Sequence, residues 1–158
     1  MFDSFLKKSK RIEFTVNEKP PKKSSKGSIW SENNTKINLV TNLRQSAFEA
    51  IQKTGLNKPF HGPVRLTLTV YAPNIQYRKD REDYLGDIDS LIGGVFEALQ
   101  PAPTNPDLKV HPELKNAKDI GSDVPLIVSD DAQVTTAIGK KIKRDEKISY
   151  TVLIEKDD

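Results

Sequence analysis

The hydrophobic period of the chain changes from two residues to three or four between a central strand and the helix that follows it. Residues 64–71 alternate apolar and polar side chains, which predicts a strand with one buried face. From Ile88 to Leu99 apolar residues recur at helical spacing, which predicts an amphipathic helix packed on the sheet. This order of periods constrains the chain to an α+β domain.

The other elements follow from the same signals. An alternating run predicts a first strand at Arg11–Val16, and Thr41 and Gly55 bracket a helical stripe as N-cap and stop signal. Residues 126–128, 133–141 and 148–155 read as strand segments, the last two as an antiparallel hairpin. We therefore expect one domain over residues 1–158, with a mixed sheet of four to five strands and two main helices.

Two loops interrupt this pattern. Residues 18–34 are rich in Pro, Ser, Lys and Gly, which predicts a flexible basic loop, with Trp30 either anchored on the core or stacking on a base. Residues 100–124 form a connection longer than compact domains usually contain. This inserted loop is functional, disordered, or folded into a short helix near residues 112–118.

Composition excludes several classes of protein. The chain has 158 residues, of which 35% are hydrophobic, and no cysteine, which excludes a disulfide framework, a thiolate metal site and a cysteine nucleophile. No run approaches the roughly 18 apolar residues of a membrane span, and the first residues lack the apolar core of a secretion signal. We therefore expect a cytoplasmic protein with no membrane contact.

Charge is distributed unevenly along the chain. Residues 1–81 carry 16 Lys and Arg against 6 Asp and Glu, whereas residues 82–158 carry 9 against 16. A basic first half favours binding to polyanions, although ordinary solvated lysines explain part of it.

Four carboxylates lie at two predicted element ends. Asp87 and Asp89 precede or begin the second helix, and Asp130 and Asp131 follow the apolar run Leu126–Val128. Oxygen ligands of this kind suit Mg²⁺, which activates water and neutralises charge in phosphodiester hydrolysis. Taken singly, each acid has a structural interpretation: a helix cap at Asp87, a dipole partner at Asp89, and a turn at the second pair.

Taken together, the motifs resemble the RusA family of Holliday-junction resolvases. The matching parts lie within about residues 40 to 155 and follow one another in the family's order. An apolar strand at 63–73 is followed by a basic segment at 78–81 and by D-x-D at 87–89. An apolar helix at 88–99 and D-D-x-Q at 130–133 complete the set. The chain departs from the family at Ser90, where the family has Asn, at Gly93, where it has a functional Lys, and by the extra segment before D-D.

The resemblance implies a site and a substrate. It makes Asp87, Asp89 and Asp131 the catalytic ligands of Mg²⁺, with Mn²⁺ as a possible substitute and Asp130 as an additional acid. It also implies a homodimer that cuts a four-way DNA junction by paired nicks, because a symmetric cut needs two sites related by a two-fold axis.

The basic segment before the acids, Arg78, Lys79 and Arg81, is predicted to contact the DNA backbone. Lys79 or Arg81 is also our candidate for the cation missing at Gly93.

Two other interpretations stay open. The fold would serve a protein that binds junctions or branched DNA without cleaving it, or a structural domain stabilised by Ca²⁺ or Mg²⁺. Gly93 and Gly94 carry a separate prediction. Two glycines inside a helix cost about 0.5 to 1 kcal/mol each, so we expect another segment to approach the helix closely there. The alternatives are a helix that merely tolerates its glycines and a kinked helix.

Overall fold

The computed structural model describes residues 10–23, 27–56, 59–75 and 85–157, and in these ranges the chain forms four strands and three helices. The α+β class, the four-stranded mixed sheet and the two main helices are confirmed. The strands are β1 (Arg11–Val16), β2 (Val64–Ala72), β3 (Val134–Lys143) and β4 (Ser149–Lys156); the helices are α1 (Ile37–Thr54), α2 (Ile88–Leu99) and the short α3 (Pro112–Lys115).

The sheet runs in the order β1-β4-β2-β3. β4 pairs antiparallel with both β1 and β2, whereas β3 pairs parallel with β2 at the edge of the sheet. The predicted C-terminal hairpin is therefore wrong, because β3 and β4 are not neighbours. The buried side chains of β4 take the central position instead, since Tyr150, Val152 and Ile154 are fully buried between flanking strands.

The core lies between one face of the sheet and the two long helices. In the paired register, Ile12 of β1, Ile154 of β4 and Leu66 of β2 lie side by side on this face. α1 contributes Val40, Leu43 and Ala47 to the core, and α2 contributes Leu91, Val95 and Leu99. The apolar positions that alternate along β2 and recur at helical spacing along α2 are therefore the buried ones.

α1 begins five residues earlier than predicted, since its N-cap is Lys36 and not Thr41. Thr41 lies inside the helix rather than at its N-cap, which is Lys36 and provides no capping side chain. Asn34 orders the entry instead, because its Oδ1 accepts a hydrogen bond of 2.9 Å from the Lys36 N–H. The predicted stop at Gly55 is confirmed by a left-handed φ of 72°.

Arg44 of α1 organises the 100–124 loop. Its guanidinium, fully buried, donates to the carbonyl oxygens of five residues, all in or beside that loop: Ala98, Gln100, Ile120, Gly121 and Val124. The guanidinium also lies 5.1 Å from the ring centre of Trp30, which is 1% exposed, so the core-anchor interpretation of Trp30 is confirmed. The short helix expected near residue 112 is confirmed as α3, whereas residues 126–128 form no strand.

Candidate functional site

α2 lies antiparallel along the edge strand β3. A Cβ added at Gly139 of β3 would fall 2.4 Å from Ile88 Cγ1 and 2.7 Å from Ile92 Cδ1, so the start of α2 rests directly on that glycine. Two residues further along β3, Lys141 Nζ donates a hydrogen bond of 2.5 Å to the Gly86 carbonyl oxygen. These contacts place the beginning of α2 beside the end of β3.

Asp87 and Asp89 lie together at that end. Asp87 occupies the N-cap position of α2 and Asp89 its first turn, and both are exposed. Gly86 makes the turn into the helix with a φ of 114°, a backbone conformation that favours glycine. The interpretation of Asp87 as the helix cap is confirmed for its position, although in the described residues its carboxylate accepts no capping hydrogen bond.

Asp130 and Asp131 open a short 3₁₀ turn that leads into β3. Asp130 caps this turn by accepting a hydrogen bond of 2.9 Å from the Ala132 N–H, and the Gln133 side chain closes a capping box. The Ala132 N–H, and secondarily the Asp131 side chain, hold the pKa of Asp130 below its ordinary value. The turn interpretation is thus confirmed for Asp130.

Gln133 fixes the acid turn to the rest of the domain. Its Oε1 accepts from the Ser129 and Asp130 N–H groups at 2.9 and 3.1 Å, and its Nε2 donates to the Phe60 and Gly62 carbonyl oxygens at 2.6 and 3.1 Å. All of its hydrogen-bonding groups are therefore engaged in holding the turn.

Asp131 is anchored to the far end of α2. Its N–H donates a hydrogen bond of 2.9 Å to Oε1 of Gln100, the residue that follows the helix. The 12 residues of α2 span about 18 Å, so the two acid pairs lie at opposite ends of the helix.

Within one chain the two acid pairs are separated by the length of α2, whereas Mg²⁺ holds its ligands at about 2.0 to 2.1 Å. In the described ranges no three Asp, Glu, His or Cys side chains are grouped so that they could hold one. The structure brings Asp87 together with Asp89, and Asp130 with Asp131, but not the two pairs.

The predicted basic segment lies outside the described residues, since Arg78, Lys79 and Arg81 fall in 76–84. Sequence reasoning missed the lysines that the structure places against α2. Residues 20–23, which we call the strap, cross the helix at Gly94, where an added Cβ would fall 2.2 Å from the Pro21 carbonyl oxygen. The predicted close approach is confirmed, and the signal in the sequence was the glycine pair itself.

Neither protein-family models nor curated protein sequences give a match to this chain. No helix in the described part of the chain is long and apolar enough to cross a membrane.

Proposed function

We propose that the protein is a Mg²⁺-dependent endodeoxyribonuclease that resolves four-way DNA junctions by paired nicks. The observation that carries this proposal is the position of the exposed acids at the two ends of α2, against the edge strand of the sheet. The uneven charge of the chain and the ordered motifs that resemble RusA resolvases support the same function.

In a two-fold homodimer, the acid pairs that are separated within one chain would come together between two chains. The outer side of β3 pairs with no strand in the described ranges, and unpaired edges readily pair with a second copy. Antiparallel pairing of β3 with itself would set the Asp131 end of one chain beside the Lys141 end of the other. Since Lys141 contacts Gly86, the second copy's Asp87 and Asp89 would then lie next to Asp131.

Apolar side chains on β3 support a contact at this edge. Ile138 and Ile142 are each 39% exposed and are the exposed large hydrophobic residues of the described ranges. They lie on the face of β3 opposite Gly139 and Lys141, because side chains alternate along a strand. A neighbouring copy would cover both without disturbing the packing of α2 on β3.

The chain's own residues then have defined roles. Asp87, Asp89 and the other chain's Asp131 would hold the ion, with Asp130 held in its capping position beside them. Gln100 and Gln133 position the second acid pair, and Gly86 and Gly139 allow the first pair to approach β3. When bound, Mg²⁺ would supply charge neutralisation at the scissile phosphate and activation of water.

A second candidate is a protein that binds branched DNA without cleaving it. It is favoured by the absence, in the described part of one chain, of a group of three acids able to hold a metal ion. A metal-stabilised structural domain is disfavoured by the same separation of the acids.

A nicking assay tests the proposal. The purified protein is incubated with a synthetic four-way junction or a linear duplex of the same sequence, in Mg²⁺, in Mn²⁺ or in EDTA. We expect symmetric nicks in the junction alone, with either metal, and none in EDTA. Junction binding without nicks in any metal would support the second candidate and overturn the nuclease proposal.

A further inference from the structure

The strap is built onto α2 by backbone contacts. The Lys23 N–H donates a hydrogen bond of 2.9 Å to the Ser90 carbonyl oxygen in the first turn of α2. At Gly94, an added Cβ would lie 2.2 Å from the Pro21 carbonyl oxygen and 2.8 Å from Lys22 Cα. Only a residue without a side chain admits the strap so close to the helix.

This docking directs Lys22 towards the first acid pair. A Cβ added at Gly86, the residue before Asp87, would lie 3.1 Å from Lys22 Cδ. Lys23 turns along the helix in the other direction, where its Nζ lies 3.3 Å from Glu97 Oε1. The strap therefore places Lys22 near the acids, whereas the charge of Lys23 is paired with Glu97.

Two more lysines extend the positive charge away from the acids. Lys36 and Lys22 both lie near Lys19, and so does the acidic Glu18. Partial burial first, and then the charge of Lys36, lower the pKa of Lys19. The Lys19 backbone N–H donates a hydrogen bond of 2.9 Å to Glu18 Oε1. Within the described ranges, however, none of the three ammonium groups forms an ion pair with a carboxylate.

The position of Lys36 is costly for folding. It is the N-cap of α1, where the helix dipole presents its positive end and where acidic residues are normally stabilising. A cation held there, beside a second cation, has no structural benefit in the described contacts. An anionic partner would remove the repulsion.

A largely polar pocket lies beside Lys22. It is open, has a volume of about 360 Å³, and is lined by Lys22, Gly27, Ser28, Ile29, Ser31, Asn33 and Asn34. Lys36 is next to it, because its N–H donates to Asn34 Oδ1 at 2.9 Å. The Ser28 and Ser31 hydroxyl oxygens each accept a backbone N–H at 3.1 Å, from Trp30 and Asn33, which leaves their own O–H groups to donate. Ammonium and hydroxyl donors without aromatic side chains suit phosphate rather than bases.

We infer that Lys36, Lys19 and Lys22 form a track that binds the phosphodiester backbone of one DNA arm and leads it to Asp87 and Asp89. This inference rests on the proposed function and names the surface that presents substrate to it. The family has a functional Lys where this chain has Gly93, and the sequence suggested Lys79 or Arg81 as its replacement. We now assign that role to Lys22 of the strap. Lys22 is a substrate-binding residue at the acid end, and Lys19 and Lys36 hold the arm.

Salt-dependent binding tests the track. The affinity of a labelled four-way junction is measured by fluorescence anisotropy at increasing salt for the wild type, Lys19→Gln/Lys36→Gln and Lys19→Arg/Lys36→Arg. Each lost phosphate contact lowers the slope of log affinity against log salt by about 0.9, so the glutamine pair is expected to lose about 1.8 and the arginine pair nothing. The matched control is Lys53→Gln/Lys115→Gln, which removes two exposed lysines from the last turns of α1 and α3 and should keep the wild-type slope.

The nicking rate at saturating junction tests the role of Lys22. Lys22→Gln is expected to lower this rate at least tenfold, whereas the control Lys53→Gln/Lys115→Gln should nick at the wild-type rate. A Lys19→Gln/Lys36→Gln protein that keeps the wild-type slope overturns the track even if the wild type nicks junctions. If the wild type binds junctions but never nicks them, the nuclease proposal is overturned, and the salt dependence of binding alone decides whether the lysine track exists. If the wild type binds no junction, both proposals are overturned.

Discussion

The Asp131 N–H donates a hydrogen bond of 2.9 Å to Gln100 Oε1, and this contact fixes the second acid pair at the end of α2 opposite Asp87. Gln100 is itself held, because its carbonyl oxygen accepts a hydrogen bond from Arg44 at 3.3 Å. The position of Asp131 therefore depends on two side chains from elsewhere in the chain, those of Gln100 and Arg44.

Gln100→Ala should release Asp131 from α2. Loss of a hydrogen bond worth about 1 kcal/mol predicts a nicking rate lowered about fivefold, with junction affinity unchanged. Gln45→Ala, which removes an exposed glutamine hydrogen-bonded to Glu49, is the control and should nick normally. Equal rates for Gln100→Ala and the wild type would show that this contact does not position Asp131.

Gly94→Ala should lower the free energy of unfolding by about 1 to 3 kcal/mol, because its Cβ would collide with the backbone of Pro21. Gly93→Ala is the matched control. Its Cβ would meet the Lys23 side chain, 3.2 Å from Cδ and 3.3 Å from Cβ. This contact offsets part of the gain in helix propensity, so we expect a change of no more than about 0.5 kcal/mol. Urea denaturation of both variants measures the difference, and a Gly94→Ala protein more stable than wild type would contradict the strap.

Arg44→Met should be the most destabilising of these changes. Burial lowers the pKa of Arg44 to about 10, so the guanidinium stays charged at neutral pH, and its removal leaves buried carbonyl oxygens without donors. We expect a loss of about 3 kcal/mol or more in denaturation experiments. Lys53→Met should change stability by less than about 0.5 kcal/mol, and a similarly small effect at Arg44 would exclude it as the organiser of the loop.

The sequence predicted those parts of the fold in which one periodic signal decides the outcome. β1, β2, α2 and the stop at Gly55 follow from hydrophobic period and glycine chemistry alone. The position of β4 between β1 and β2 does not, because its pairing depends on partners more than 70 residues away in the chain. The start of α1 was missed since its entry is ordered by Asn34, outside the helix.

The candidate site divides in the same way. The motif identified the four acids, but their separation follows from the antiparallel packing of α2 on β3, which motif order does not encode. The sequence gives no reason to place Lys22 near the acids, because only the docking of the strap at Gly94 brings it to Gly86.

The acid turn should also show in the pH dependence of stability. The pKa of Asp130 is lower in the folded protein than its ordinary value, so its charged form stabilises the fold above the unfolded pKa, and this contribution is lost as pH falls through the folded pKa. The difference in unfolding free energy between wild type and Asp130→Asn should therefore be constant above about pH 5 and shrink towards pH 2. A difference independent of pH across this range would contradict the capping role of the carboxylate.

Complementation between inactive chains tests the central claim, that the acids of two chains form each site. Asp87→Asn and Asp131→Asn proteins are each expected to bind junctions and not to nick them. Mixed one to one and allowed to exchange subunits, they form mixed dimers in which one site keeps Asp87 and Asp89 of one chain and Asp131 of the other. A statistical mixture restores about a quarter of the wild-type sites, so nicking should return to about that level. A mixture that stays as inactive as its two components, with subunit exchange verified, would contradict the shared site.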